Sequence, residues 1–223
     1  MLEVRAALCQ IFEKWGKPGS IRVDNGEPLG SPSTDTTPPL SLWLIAHDID
    51  VIWNKPRCPQ MNGKVEHMQD TSQRWAEIHS AANQEQLQKR LDYEANIQRE
   101  VFKVTRLGNC TRRAAFPELL TAQRPWLPNS INHFSEMRVY NFLTKKIYSR
   151  KVSTNGQINH FGHKIIIGSA YKGRFVQIKL NIDSLPISWV ISSDAKVIKT
   201  SPALHLDKDR ILNLSVFQRT KTT

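Results

Sequence analysis

The sequence predicts a mixed α/β protein: an alternating α/β region first, a helical connector next, and a small all-β barrel domain last. Three observations carry this expectation. Apolar residues recur at helical spacing across the first 15 residues and again after Gly63. Two short β-prone runs, Ser20–Val23 and Asp50–Trp53, alternate with the helical stretches. From about Met137 onward, brief β-rich runs separated by glycine-containing turn signals replace the helical pattern.

Leu2 to Trp15 reads as an amphipathic helix with Leu8, Phe12 and Trp15 on one face. Gly16-Lys17-Pro18-Gly19 ends it. Ser20–Val23 is a strand that leads into Asp24. Gly30 to Pro39 is a loop by composition. Leu40 to Ala46 reads as a helix, Asp50–Trp53 as a second strand, and Asn54 to Asn62, with two prolines, as a mobile loop. A helix begins at Gly63 or Lys64 and reaches about Ile78. A polar helix follows from Asn83 to Phe102, with Leu87, Leu91, Tyr93 and Ile97 as packing positions. Gly108-Asn109 breaks that pattern, Arg112 to Leu120 is a short helical segment, and Pro125 to Asn129 reads as a linker. Strands are expected near 149–152, 164–167, 175–180, 188–191 and 196–199. The expected division is 1–80, 81–137 and 138–223.

The net charge of +11 is unevenly placed. Residues 138–223 hold 15 Lys/Arg against 4 Asp/Glu, whereas residues 1–137 hold 16 of each. A basic module joined to a neutral one suits a phosphate-rich partner, because Lys and Arg gain affinity by releasing counterions from nucleic acid. Within that module Lys145, Lys146, Arg150, Lys151, Lys172, Arg174 and Lys179 form the candidate DNA-binding face. No stretch approaches the roughly 20 apolar residues of a membrane span, and no secretory leader pattern opens the chain. Three cysteines without ligand spacing read as free thiols of a reducing cytosol. The histidines show no metal-ligand spacing. His160 and His163 lie three apart but lack an accompanying Cys or acid. The six tryptophans read as packing anchors.

Two segments carry chemistry. Ile21-Arg22-Val23-Asp24-Asn25-Gly26 places a carboxylate at a strand end beside a tight turn. Pro59-Gln60-Met61-Asn62-Gly63-Lys64-Val65-Glu66 places another in the first turn of a helix. Each alone has an ordinary meaning: Asp-Asn-Gly is a turn signal, and a glutamate at a helix start complements the macrodipole. Together, in this order, they present two acids at the ends of different elements. Two-metal phosphoryl-transfer sites need such an arrangement, because ions roughly 3.5–4 Å apart must be clamped by carboxylates from several elements.

The ordered string resembles the second and third acids of the DDE integrase/transposase family, in the form found in bacterial insertion-sequence transposases with a retroviral-integrase-like core. The resemblance spans roughly residues 1–126 well and 138–200 more loosely. It implies an RNase H-like core, here incomplete, followed by a helical connector and a DNA-binding β-barrel. It implies Asp24 and Glu66 as catalytic metal ligands with Mg²⁺ as the ion, a hard cation suited to carboxylate oxygens. It also implies Gln60, Asn62 and Lys64 as DNA-positioning groups, and double-stranded DNA as partner of a cytoplasmic, nucleoid-associated protein that works as a homo-oligomer or with a complementing N-terminal fragment. The chemistry implied is attack by water or a DNA 3′-hydroxyl on a phosphodiester. Two departures stand out. No Asp precedes Asp24, so the chain reads as the C-terminal part of such an enzyme, inactive alone, with the apolar faces of Leu8, Phe12, Val23 and Ile52 left uncovered. Asp70 follows Glu66 by one helical turn, where it repels both the acid and DNA phosphate. The alternative function is a non-catalytic DNA-binding remnant.

Overall fold

A computed structural model describes residues 1–30, 36–126 and 134–218. Part of the expected Gly30–Pro39 loop, Leu127 to Asn129 of the expected linker, His133 and the last five residues lie outside the described residues. The helices are α1 (Leu2–Trp15), α2 (Pro39–Ala46), α3 (Gly63–Ala76), α4 (Gln84–Glu100), α5 (Arg112–Ala115), α6 (Glu136–Thr144) and α7 (Lys208–Leu212). The strands are β1 (Ser20–Val23), β2 (Asp50–Trp53), β3 (Lys103–Val104), β4 (Cys110–Thr111), β5 (Tyr148–Lys151), β6 (Gln157–His160), β7 (His163–Ile166), β8 (Phe175–Asn181), β9 (Ser188–Ser193) and β10 (Lys196–Pro202). The protein is therefore mixed α/β, with small sheets in its N-terminal region and a four-stranded antiparallel sheet near its C-terminus. The chain forms two compact units, one built from Met1–Cys9, Pro18–Asn54 and Leu127–Thr223, the other from Gln10–Lys17 and Lys55–Trp126.

In the first unit β1 and β2 pair in parallel, with Ile21 opposite Val51 and Val23 opposite Trp53. Parallel neighbours need a crossover, and α2 lies in that connection. Every residue of α2 is buried, as a helix that is apolar on all sides requires. Pro39 opens it at a position where the missing N–H costs nothing. β2, α6 and α7 pack against it, and α6 inserts Val139 and Leu143, one turn apart.

The C-terminal sheet has the order β10-β9-β8-β5, antiparallel throughout. β8 shows the period of two expected of a half-buried strand: Val176, Ile178 and Leu180 are buried, and Phe175, Gln177 and Lys179 are exposed. β6 and β7 form a separate hairpin. Its two-residue loop, Phe161-Gly162, has positive φ at both positions, 49° and 78°, the signature of a turn that matches strand twist. A Cβ on Gly162 would lie 2.4 Å from the Phe217 carbonyl oxygen, so only glycine fits. Asp194-Ala195, between β9 and β10, repeats the double positive φ at 50° and 63°.

The barrel expected here does not close among the described residues: the four strands make an open sheet, and β6–β7 stands apart. The physical reason lies at the edges. β10 carries Lys196 and Lys199 and an irregularity between Val197 and Lys199, features that oppose further strand pairing. The expectation of uncovered apolar faces also needs correction. Phe12 is 2% exposed and Val23 8%, whereas Ile52 remains 40% exposed.

In the second unit α3 packs on α4, and α4 on α5 and β4. Asn83 caps α4, its side chain accepting from the Gln86 N–H at 2.9 Å. Gly16 ends α1 at φ 79°, and a Cβ there would meet the Arg124 carbonyl oxygen at 2.9 Å. Phe12 packs edge-on against Trp126 with centroids 5.4 Å apart.

Candidate nucleic-acid interface and acidic positions

Asp24 follows the last residue of β1, at the carboxyl end of a parallel strand, where open α/β sheets place their ligands. Its side chain is exposed. Oδ1 accepts from the Gly26 N–H at 3.0 Å, so Asn25-Gly26 folds back as an Asx turn. The adjacent strand end is held by the Asn54 N–H donating to the Val23 carbonyl at 2.9 Å.

Glu66 lies in the first turn of α3 and is exposed. Its N–H donates to the Asn62 carbonyl at 3.0 Å, which fixes the helix start. The preceding segment is short and tight. Pro59–Met61 forms one 3-10 turn, closed by the Met61 N–H donating to the Cys58 carbonyl at 3.1 Å. Gln60 is exposed on that turn, Asn62 is half-buried at the N-cap of α3, and Lys64 is exposed in its first turn. The sequence thus places all four groups on one turn-and-helix segment of the second unit. Asp24 belongs to the first unit, so neither unit by itself holds both acids.

The donor set bears directly on magnesium. Both acids are carboxylates of the right chemical class, but among the described residues no three His, Cys, Asp or Glu side chains gather to hold a metal ion. Asp24 also engages one oxygen in its own turn. The described residues therefore do not assemble a magnesium centre, and no reaction step is derived through one.

The basic candidates separate into groups. In β5 the alternate positions Tyr148 and Arg150 share one face, and Ser149 and Lys151 the other. Tyr148 is buried, and Arg150 turns with it. The Arg150 Nε donates to the Asn159 carbonyl at 3.1 Å and its Nη1 to the Ser149 carbonyl at 2.8 Å. That guanidinium ties β5 to β6. Lys151 is exposed on the outer face, directly opposite Phe175 of β8. Lys172 and Arg174 are exposed in the turn before β8. That turn is laced to the end of β5, with the Val152 N–H donating to the Arg174 carbonyl at 2.8 Å and the Gly173 N–H to the Val152 carbonyl at 2.9 Å. Lys151, Lys172 and Arg174 therefore share one end of the β5–β8 pair, and Lys179 lies further along the same outer face of β8. Arg174 has Asp194 at 4.0 Å, a solvent-exposed pair of small energetic weight. Lys145 is exposed at the end of α6. Lys146 lies over the rings of Phe142 and Trp53, 4.8 Å and 5.8 Å from their centroids, and burial lowers its pKa.

Sequence reasoning did not foresee the cluster beneath this face. His160, Phe161 and Trp189 are 0–1% exposed and meet Tyr148 and one another at close range. The Trp189 indole N–H donates to the His205 Nε2 at 3.2 Å, and His205 stacks on His163 at 4.4 Å. Desolvation first, then Arg150 and the neighbouring histidines, pushes His160 down to about 2. Desolvation, then His163 and Arg210, pushes His205 down to about 3. Both are neutral core residues. The only sequence signal for them was their closeness to Phe161 and to the apolar alternation around Trp189. No protein-family model matches the chain.

Proposed function

We propose that this chain binds double-stranded DNA as the C-terminal part of a DDE-type transposase or integrase-like recombinase. One observation supports the reading above others. Asp24 stands at the carboxyl end of the first strand of a parallel pair, and Pro-Gln-Met-Asn-Gly-Lys-Val-Glu66 then opens a helix in the order the family uses. In this reading β1, α2 and β2 belong to an RNase H-like core. The basic outer face of the C-terminal sheet grips the duplex through Lys151, Lys172 and Arg174, joined by Lys145 and Lys146 at the start of β5. Gln60, Asn62 and Lys64 touch DNA beside Glu66. Arg150 supports that face from behind by fixing β5 to β6. Strand cleavage and transfer would need Mg²⁺ held by Asp24, Glu66 and a third acid that the described residues do not supply. The assembly would be a homo-oligomer or a complex with a segment bearing that acid.

A second reading, a DNA-binding protein without catalysis, is favoured by the lack of any three-acid cluster among the described residues. Calorimetric titration of the chain with Mg²⁺ and Mn²⁺ in the presence of duplex separates the two. Saturable metal binding that disappears in both Asp24→Ala and Glu66→Ala supports the recombinase. Undiminished duplex binding with no metal uptake supports the second reading. No duplex binding at all overturns both.

A further inference from the structure

The second unit contains a cleft of about 1060 Å³ that the DNA reading does not use. α3 and α4 form one side of it, and α5 with the turns at Thr105–Leu107 and Pro117–Leu120 the other. Along α3 the residues facing it are Lys64, Met68, Thr71 and Trp75, spaced by one turn each. Its apolar side chains are unusually open: Met68 is 60% exposed, Trp75 45%, Phe102 47%, Phe116 41% and Leu120 51%. Single exposed apolar residues are ordinary, but a contiguous set lining one cleft marks an interaction site.

The charge of the lining identifies the kind of occupant. Lys64, Arg74, Arg99, Arg106, Arg112 and Arg113 line the cleft, and no Asp or Glu does. Part of this rim is fixed in place: the Arg112 Nη1 donates to the Gln98 carbonyl at 2.7 Å, and Arg113 pairs with Glu100 at 3.0 Å. The rings are poorly disposed to stack bases. Trp75 and Phe102 meet edge to face at 68°, and the Arg99 guanidinium covers Trp15 at 5.0 Å. A groove between two packed helices, with an apolar floor and a wholly cationic rim, matches the helix-in-groove mode of recognition.

We propose that this cleft docks an amphipathic helix of a partner protein, one that presents apolar side chains every three or four residues and carries Asp or Glu on its flanks. The occupant is not a segment of this chain outside the described residues, because those segments contain a single acid, Asp35. The proposal is independent of the DNA reading.

The test titrates the full chain with three probes and follows tryptophan fluorescence. Two are helical peptides of about 18 residues with the same Leu and Phe positions, flanked by Glu in one and by Lys in the other. The third is an oligothymidylate. The Glu peptide is expected to bind saturably. Arg74→Glu with Arg106→Glu should weaken it by about tenfold or more, Arg74→Lys with Arg106→Lys should restore it, and Trp75→Ala should weaken it on its own. Circular dichroism checks that each variant keeps its helices, and Trp75→Ala carries the test if the charge reversal does not fold. Equal binding of both peptides would overturn the proposal, as would displacement of the Glu peptide by oligothymidylate. It would also fall if the chain self-associates in sedimentation and the charge reversal breaks that association, since the occupant would then be a second copy.

Discussion

In the unit that holds the C-terminal sheet, Trp189, Ile178, Ile191, Leu143 and Leu206 are wholly buried. In the helical unit, Met68, Trp75, Phe102 and Leu120 stand about half in solvent. The same residue types thus do different work. In the first unit the apolar area is already used for folding, at about 25 cal/mol per Å² removed from water. In the second a substantial part of it is still available to a partner. The charges follow the same division. Arg150 is drawn into holding strands together, while Lys151, Lys172 and Arg174 point outward.

This comparison can be broken most easily at two tryptophans. Trp189→Ala should destabilise the protein by about 3–5 kcal/mol, because it removes a fully buried ring and the partner of His205. Trp75→Ala, at 45% exposure, should cost under about 1 kcal/mol. Urea unfolding of both variants checks this, and equal losses would erase the distinction. Two glycines sharpen it next. Gly162→Ala places a Cβ against the Phe217 carbonyl at positive φ and should cost about 1–3 kcal/mol. A Cβ on Gly63 meets nothing within 4 Å, so Gly63→Ala should stabilise α3 by up to about 1 kcal/mol in the same assay.

The buried histidines give a pH test. Their folded-state pKa values, about 2 for His160 and about 3 for His205, lie below the ordinary 6.5. Above pH 6.5 both are neutral, folded or unfolded, and contribute no pH dependence. As pH falls below 6.5 the unfolded chain takes up protons that the folded chain refuses. Stability should then drop about tenfold in the folding equilibrium per histidine per pH unit, until the folded values are reached. His160→Phe should make the decline between pH 6.5 and 4.5 shallower by about that factor. An unchanged slope would mean that His160 is not held neutral in the core. The smallest effect belongs to the surface pair Arg174–Asp194: Asp194→Asn should alter stability by under about 1 kcal/mol.

Much of the N-terminal architecture was legible. The bounds of α1, β1 and β2 coincide with the stretches that periodicity marks, because Gly16, Pro18 and the loop residues after Asp24 punctuate them sharply. α6 was not legible. Glu136–Thr144 holds Tyr140, Asn141, Phe142 and Thr144, residues of middling helix propensity, and buries only Val139 and Leu143. β6 escaped notice because Gln157–His160 has one aliphatic residue. Barrel and open sheet differ only in whether edge strands pair, and that depends on long-range geometry rather than on local pattern. For the site, the two acidic motifs were plain in the sequence, but their distribution between two units was not, since each unit is assembled from separated stretches. The commitment of Arg150 to backbone carbonyls depends on strand parity, which a list of basic residues does not reveal. The cleft beside α3 depends on which helical face its neighbours leave open.

The account rests most directly on duplex binding by the outer basic face of the C-terminal sheet. Affinity for a DNA duplex should be measured across a salt series for the native chain and for the variant carrying Lys151→Glu, Lys172→Glu and Arg174→Glu. Loss of three phosphate contacts should reduce the slope of log affinity against log salt by about 3, since each contact contributes roughly 0.9. The variant should retain native stability, because all three side chains are exposed. An unchanged affinity and slope in a folded variant would contradict the claim.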